Sequence, residues 1–375
     1  MKVIFTCGGT AGHVNPALAL AGMIRERKPD SEILFVGARR GIERRLIEEA
    51  GWPFREVEIS SFHRSFKPKE IRHNLISLKN LICSPAQAEE MLRQFPADLV
   101  VGTGGYASYP MIRAAAKRGI PTAIHESNAI PGLTTKLLER YADLIMVGFE
   151  ECRKNYRKPE KVLVTGTPVR GDFFTLSRKE AKQKLGMDDG RPLIVSFWGS
   201  LGAASMNRQM ADFLALEAKE RPFHHVHGAG VVGSRQMGTY LEQSGVDLTQ
   251  TPELDVREYI SDMGVLMRAA DLVISRAGAS TISELTALGV PAILVPSPNV
   301  ANNHQEYNGR VLSDAGGAVL ILEKDSSGAL LYQTAREILG DAQRHKTMRD
   351  AMASLGTVDA AQQIYSSIMA LCKNR

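Results

Sequence analysis

Two doubly wound α/β domains are what this sequence predicts, and three observations predict it. Short β-rich runs alternate with helical stretches along the whole chain. The first run, Lys2-Val3-Ile4-Phe5-Thr6, breaks into the glycine turn Gly8-Gly9-Thr10-Ala11-Gly12-His13, and the same plan restarts where Leu193 to Ser196 leads into Gly199-Ser200-Leu201-Gly202. At 375 residues the chain also exceeds the ~250–300 at which single cores stop growing. The expected division is a Rossmann-like domain over 1–165, a hinge at 166–171, a second Rossmann-like domain over 172–345, and closing helices over 346–375. Each first glycine turn is expected to face a shared cleft.

The 44% hydrophobic and 23% charged content is that of an ordinary soluble globular protein. A net charge of +5 is too small to argue for nucleic acid, yet it suits anionic ligands or an anionic lipid surface. Cys7, Cys83, Cys152 and Cys372 are scattered without a C-x-x-C, which predicts reduced thiols and a cytoplasmic address. Cys7 borders the first glycine turn and is expected to be packed rather than reactive. The chain opens directly on a strand, so no signal peptide is expected. No apolar run approaches the ~20 residues needed to span a bilayer.

In order, Val3 to Thr6 is the first strand. Asn15 is expected to cap a helix with Pro16 at its first position and Ala17 to Arg27 as its body. Glycines in the preceding turn admit a ligand close to the backbone, and free N–H groups at a helix start suit an anion. The spacing departs from G-x-G-x-x-G, and no dinucleotide fingerprint follows. His13 is either a backbone-bonded histidine or a site residue. Ile33 to Val36 is the second strand and Glu43 to Ala50 a helix.

From Phe62 to Cys83 the chain turns basic. Arg64, Lys67, Lys69, Arg72 and Lys79 accompany the single acid Glu70, while Ile71, Leu75, Leu78 and Ile82 recur at helical spacing. Such a segment lies on an anionic membrane or packs as a crossover helix, and the residues leave both open. Asp98 to Val101 ends in a second glycine turn, Gly102-Thr103-Gly104-Gly105-Tyr106, with Pro110 opening the next helix. Thr122 to His125 runs into Glu126-Ser127-Asn128, a strand end beside two glycine turns and so a candidate site wall. Ala142 to Val147 and Val162 to Thr165 complete this half.

Beyond a helix over Lys179 to Leu185 and the restart at Leu193, His224, His225 and His227 invite a metal reading. His225 and His227 share a strand face, but no carboxylate or cysteine joins them at a ligand spacing, so no metal site is expected. The stretch from Asp271 to Asn308 carries more chemistry. Leu272 to Ser275 is a strand broken by Ala277-Gly278, and Thr281-Ile282-Ser283-Glu284 fits a capping box. Val290 to Val295 is a buried strand stopped by Pro296 and Pro298. Gln305 and Asn308 then share a helical face. Hydroxyls, a carboxylate and two carboxamides at the carboxyl ends of parallel strands make a place for a sugar nucleotide.

The pieces Gly8 to His13, Gly104-Gly105-Tyr106, His125 to Asn128, Pro168-Val169-Arg170, Gly199 to Ala203, Ser275 to Glu284 and His304 to Asn308 occur in this order. Together they closely resemble glycosyltransferase family 28, the N-acetylglucosaminyltransferases that convert lipid I to lipid II in peptidoglycan synthesis. The likeness covers essentially the whole chain. It implies the GT-B fold, with UDP-GlcNAc held by the C-terminal domain and the lipid acceptor by the N-terminal one, and no cofactor. The Ile260 backbone and the helix start at Ala279, Ser280 and Thr281 would cradle uracil and the neighbouring phosphate. Glu284 would accept from the ribose hydroxyls, and Gln305 and Asn308 would read GlcNAc.

Ser200 and Arg170 would bind the diphosphate side, with Thr10, Ala11, Gly12 and Asn128 closing over the donor. His13 would be the general base or position the acceptor, with Glu126 the second candidate, in a single inverting displacement. The absence of any Asp-x-Asp disfavours a metal-clamping transferase. Phe62 to Cys83, with Lys136 and Arg140, would dock the protein on the cytoplasmic face of the membrane. Three positions depart from the family pattern: Trp198 where a glycine is usual, Thr167 for asparagine and Ser127 for glutamine. An indole at 198 could crowd the phosphate turn. Transferases acting on other acceptors, a donor-binding protein without turnover, and nucleotide-sugar epimerases share much of this pattern.

Overall fold

The computed structural model describes residues 1–39, 41, 43–60 and 68–373, and the chain divides into two compact units. The first comprises Met1–Val169 and Thr357–Arg375, the second Arg170–Gly356.

In the first unit the strands are β1 (Lys2–Thr6), β2 (Glu32–Ala38), β3 (Phe54–Val57), β4 (Leu99–Gly102), β5 (Thr122–Glu126), β6 (Leu144–Val147) and β7 (Val162–Val164). They pair in parallel in the order β3-β2-β1-β4-β5-β6-β7. Val3, Ile4 and Phe5 are all fully buried, as a parallel strand covered on both faces requires. Ile4 belongs to a core with Val36, Val100, Met111 and Ile112. Val3 and Phe5 point the other way, into a core with Leu20, Ile24 and Phe35.

The helix after β1 spans Ala11–Arg27, starting ahead of the position its proline suggests. Thr10 is its extended N-cap and accepts from the His13 and Val14 N–H groups, so Asn15 caps nothing. Pro16 is carried in the second turn, where its missing N–H deprives the Gly12 carbonyl of its i+4 donor. Residues 62–67 of the basic segment lie outside the described residues, as do the side chains of Ile71, Leu75, Leu78 and Ile82. From Pro68 to Gln94 the backbone is one helix whose C-terminal half buries Ala88 and Leu92 in the sheet's core. The tail serves both units: the Ala342–Leu355 helix packs on the Ala279–Leu288 helix of the second unit. The Ala360–Lys373 helix packs on Ala11–Arg27 of the first, burying Ile364 and Ile368.

The second unit has β8 (Leu193–Phe197), β9 (His224–Gly228), β10 (Leu254–Arg257), β11 (Leu272–Ser275), β12 (Ala292–Leu294) and β13 (Ala318–Leu320). They are parallel in the order β10-β9-β8-β11-β12-β13. Strand order reverses between β1 and β4 in the first unit and between β8 and β11 in the second. Open α/β sheets bind ligands at those positions, and all four glycine-bearing turns leave from them. Among the described residues no helix is long and apolar enough to cross a membrane.

Candidate active site

At the switch point of the second unit a pocket of about 570 Å³ opens between the turns after β8 and β11. Its wall includes Trp198, Gly199, Gly202, Ser205, Arg276, Gly278, Thr281, Gln305 and Glu323. The β8 turn depends on Gly202. Its φ of +76° is left-handed, and a Cβ there would lie 2.0 Å from the Ala229 carbonyl oxygen. Ser200 sits exposed in this turn, ahead of the Ala204–Glu220 helix rather than at its start, because the chain needs Gly199 to Gly202 to reverse first.

The helix after β11 starts at Ala279, with Gly278 as an extended N-cap and no side chain on its first amides. The expected capping box is therefore absent: Thr281 lies inside the helix, and Glu284 is a turn further on, out of reach of the N-cap. The free N–H groups of Ala279, Ser280 and Thr281 carry the positive end of the helix dipole to the pocket. Glu284 is freed from capping. Burial, opposed by Arg170 and reinforced by Asp172, pushes its carboxyl up to about 7. Arg170 itself is exposed and paired with Asp172 at 3.4 Å.

Gln305 lines the pocket, its Oε1 accepting from the Ser297 N–H at 2.8 Å. Asn308, expected on the same face, is fully buried, and its Nδ2 donates to Ala277 O at 3.2 Å. The carboxamide fastens the β11 turn to the His304–Asp314 helix instead of facing the pocket. Ile260 is buried, its side chain packed over Gly228. Trp198 is 4% exposed, packed with Met206, Met210 and Ala229 while forming part of the pocket wall.

In the first unit the β1 and β4 turns lock together. Gly8 N donates to Gly104 O, and a Cβ on Gly105 would lie 2.0 Å from Gly8 O. The partly buried His13 presents Nδ1 to Gly8 O at 2.7 Å. A carbonyl only accepts, so Nδ1 carries a proton and Nε2 is the ring nitrogen left to exchange one. The ring lies against Gly104, where a Cβ would come within 2.6 Å of His13 Cδ2. Thr10 is exposed and Gly12 half-buried at the same helix start.

Glu126 is 3% exposed and its carboxylate is full. Oε1 accepts from the Asn128 N–H and Nδ2, and Oε2 from Gly132 N and Thr135 Oγ1. Four donors occupy both carboxylate oxygens, so Glu126, the second candidate base that the resemblance implied, organises the 128–135 loop in this structure. His125 turns away from any opening, with Nε2–H on Gly166 O at 2.9 Å, and burial lowers its basicity.

Two family models match, the glycosyltransferase family 28 N-terminal domain over residues 3–147 and its C-terminal domain over 193–364. The chain belongs to glycosyltransferase family 28. An Acetivibrio thermocellus relative named UDP-N-acetylglucosamine–N-acetylmuramyl-(pentapeptide) pyrophosphoryl-undecaprenol N-acetylglucosamine transferase is 39% identical over 375 residues, covering 100% of this chain and 99% of its own length. A Bacillus licheniformis relative of the same name is 35% identical over 371 residues, covering 99% of each. Among solved structures, Acinetobacter baumannii MurG superposes with a TM-score of 0.77 at 26% identity, covering 98% of this chain and 99% of that one. The UDP-GlcNAc 2-epimerase of Neisseria meningitidis, solved with UDP-GlcNAc, shares the fold at a TM-score of 0.64 and 14% identity, covering 99% of this chain and 100% of its own.

In this family 28 chain, three pocket residues escaped the sequence reading. Arg276 donates to the Val295 and Pro296 carbonyls, pairs with Glu323 at 2.7 Å and lies 5.9 Å from the Trp198 ring centroid. Glu323 also accepts from Ser205 at 2.7 Å. Arg276 directly follows a strand at a switch point, a usable signal. Nothing local marks Ser205 or Glu323, which meet across 118 residues. In the first unit Glu43 was also missed. Fully buried, it accepts from Gly9 N at 3.2 Å and Ala38 N at 2.8 Å, pinning the glycine turn. Cys7 is buried and its thiol pushed far up, an inert packing residue. On β9, His225 meets a carboxylate, Glu217 of the Ala204–Glu220 helix, at 2.6 Å.

Proposed function

We propose that this chain transfers GlcNAc from UDP-GlcNAc to the 4-hydroxyl of MurNAc in undecaprenyl-pyrophosphoryl-MurNAc-pentapeptide, with inversion, converting lipid I to lipid II. The observation that carries the reading is the pocket at the second unit's switch point, lined by the uncapped start of the helix after β11 at Gly278 and Thr281, together with Arg276 and Gln305. The full-length relatives that carry that activity in their name support it.

In this reading the amides of Ala279, Ser280 and Thr281 hold a phosphate, and the Ile260 backbone reads uracil. Glu284 accepts from the ribose hydroxyls and Gln305 from GlcNAc, while Asn308 keeps the β11 turn in place. Arg170 and the Ser200 turn meet the charge that develops on departing UDP, the effect that lowers such barriers most. His13 Nε2 takes the proton of the attacking 4-hydroxyl, the C4 oxygen bonds to C1 of GlcNAc, and the C1–oxygen bond to UDP breaks. Thr10, Ala11, Gly12 and Asn128 line the approach.

Docking on an anionic membrane is part of the proposal. The Leu133–Leu138 helix exposes Leu133 (69%), Leu137 (46%) and Lys136, with Arg140 exposed just beyond it. Apolar and basic side chains on one face are what an anionic interface binds. With Phe62 to Cys83, this surface would hold the enzyme at the cytoplasmic face.

UDP release from UDP-GlcNAc, with and without a soluble lipid I analogue, tests the function. Wild type and Trp198→Gly should both show acceptor-dependent release, because the indole is packed inward. Donor bound with no release from either would send the reading to another acceptor class. Release from the glycine variant alone would mean that Trp198 blocks the chemistry.

A further inference from the structure

Behind the β8 turn lies a file of buried polar side chains that the proposed function leaves without a role. It runs Glu217, His225, Ser196, His227, Asn207, each 1% exposed or less. Glu217 Oε2 is 2.6 Å from His225 Nδ1, and His225 Nε2 is 2.8 Å from Ser196 Oγ. Ser196 Oγ is 2.7 Å from His227 Nδ1, and His227 Nε2 is 3.3 Å from Asn207 Oδ1. Asn207 Nδ2 ends the file on the Ala229 carbonyl at 2.8 Å.

That last bond orients all the others. A carbonyl only accepts, so Asn207 turns its NH₂ to Ala229 and its oxygen to His227. His227 Nε2 therefore carries a proton and its Nδ1 is bare. The Ser196 hydroxyl donates to this bare nitrogen and accepts from His225 Nε2–H. His225 then meets Glu217 through Nδ1, and only a further proton makes that 2.6 Å contact a hydrogen bond. The pair holds one proton more than a neutral imidazole beside a carboxylate, which leaves it without net charge in the core. Burial, and then His225, lower the basicity of His227, in keeping with its neutral place in the file.

The file also ties together the parts that shape the pocket turn. Ser196 directly precedes the pocket residues Phe197 and Trp198 on β8. Asn207 stands in the first turn of the Ala204–Glu220 helix, its N–H on Ala203 O. Ala229 is the residue whose carbonyl Gly202 must clear. We propose that Glu217, His225, Ser196, His227 and Asn207 are positioning residues for the Gly199–Gly202 turn, acting as one oriented proton file with an extra proton at its His225–Glu217 end. Naming the ligand of that turn as UDP-GlcNAc rests on the proposed function.

Imidazole ¹⁵N NMR of the full chain at neutral pH tests the orientation. His227 should carry its proton on Nε2 alone, with a proton on His225 Nε2 and another between Nδ1 and Glu217. A proton on His227 Nδ1, or a wholly unbonded His225 Nδ1, overturns the file. Ser196→Ala and Asn207→Asp test the positioning. Each should raise the KM for UDP-GlcNAc about tenfold, as expected when a buried partner is left unpaired, with kcat nearly unchanged.

Lower melting temperatures with an unchanged KM would make the file mere packing and sink the proposal. Should Ser196→Ala fail to fold, Asn207→Asp, which puts a carboxyl oxygen in place of the donor to Ala229, decides. A wild type that binds UDP-GlcNAc without turnover would fail the transferase reading alone, and calorimetric UDP-GlcNAc affinities of the same variants would then decide the positioning. A wild type that binds no UDP-GlcNAc ends the positioning claim, while the NMR result still judges the file.

Discussion

His13 shows how a single backbone contact can assign a role. Nδ1 is committed to Gly8 O, leaving Nε2 as the nitrogen that can take a proton. His13→Ala is expected to lower kcat by about 10²–10⁴ with donor affinity nearly intact, measured by steady-state UDP release. Unchanged turnover would remove the residue from the mechanism. Glu284 makes a prediction of a different kind. Its carboxyl is raised from 4.5 to about 7 in the folded chain, so between those values the native state holds a proton that the unfolded chain has lost. Stability contributed by this group is present at low pH and falls as pH rises through about 7. Urea midpoints at pH 5 and pH 8 should therefore differ less in Glu284→Gln than in wild type, and the variant should also bind UDP-GlcNAc more weakly. Equal pH dependence in the two proteins would refute the raised carboxyl.

At the scale of elements, the decisive features are turns and helix starts. Gly202 combines a left-handed φ with a backbone oxygen 2.0 Å from any Cβ. Gly202→Ala should cost about 2–4 kcal/mol, seen as a lower denaturant midpoint, since strain and steric conflict add there. A loss within ~0.5 kcal/mol would mean the turn relaxes freely. The Ala279–Leu288 helix teaches a related point. The Thr-x-x-Glu pattern predicted a reciprocal cap, but the chain breaks at Gly278, ahead of it, and the first amides stay open. An anion site and a capping box are alternative uses of the same N–H groups. Local sequence does not choose between them; the position of the β11 turn does.

The whole molecule closes through its tail. The Ala360–Lys373 helix belongs to the first unit although the chain reaches it from the second. Ile364 and Ile368, both fully buried, are worth about 1.5–3 kcal/mol each at ordinary burial energies. Ending the chain after Gly356 should therefore lower the urea midpoint of the first unit while sparing that of the second. A single unshifted transition would contradict the packing of this helix. The sequence by itself determined a good deal. Hydrophobic runs of strand length, glycine breaks and the mid-chain restart specified two parallel sheets, and the ordered motifs specified the family. These signals are local, because strand burial and turn conformation are written in neighbouring residues. Only tertiary structure decided that Asn308 is buried, that Glu126 is saturated, that Glu323 meets Arg276, and that two histidines, a serine, an asparagine and a glutamate line up as one buried file. Each depends on which side chains the folded strands, turns and helices bring together, whether a few residues apart, as around Glu126, or more than thirty, as for Asn308 and Ala277, and hydrogen-bond donors and acceptors acquire their roles only when those partners are in place.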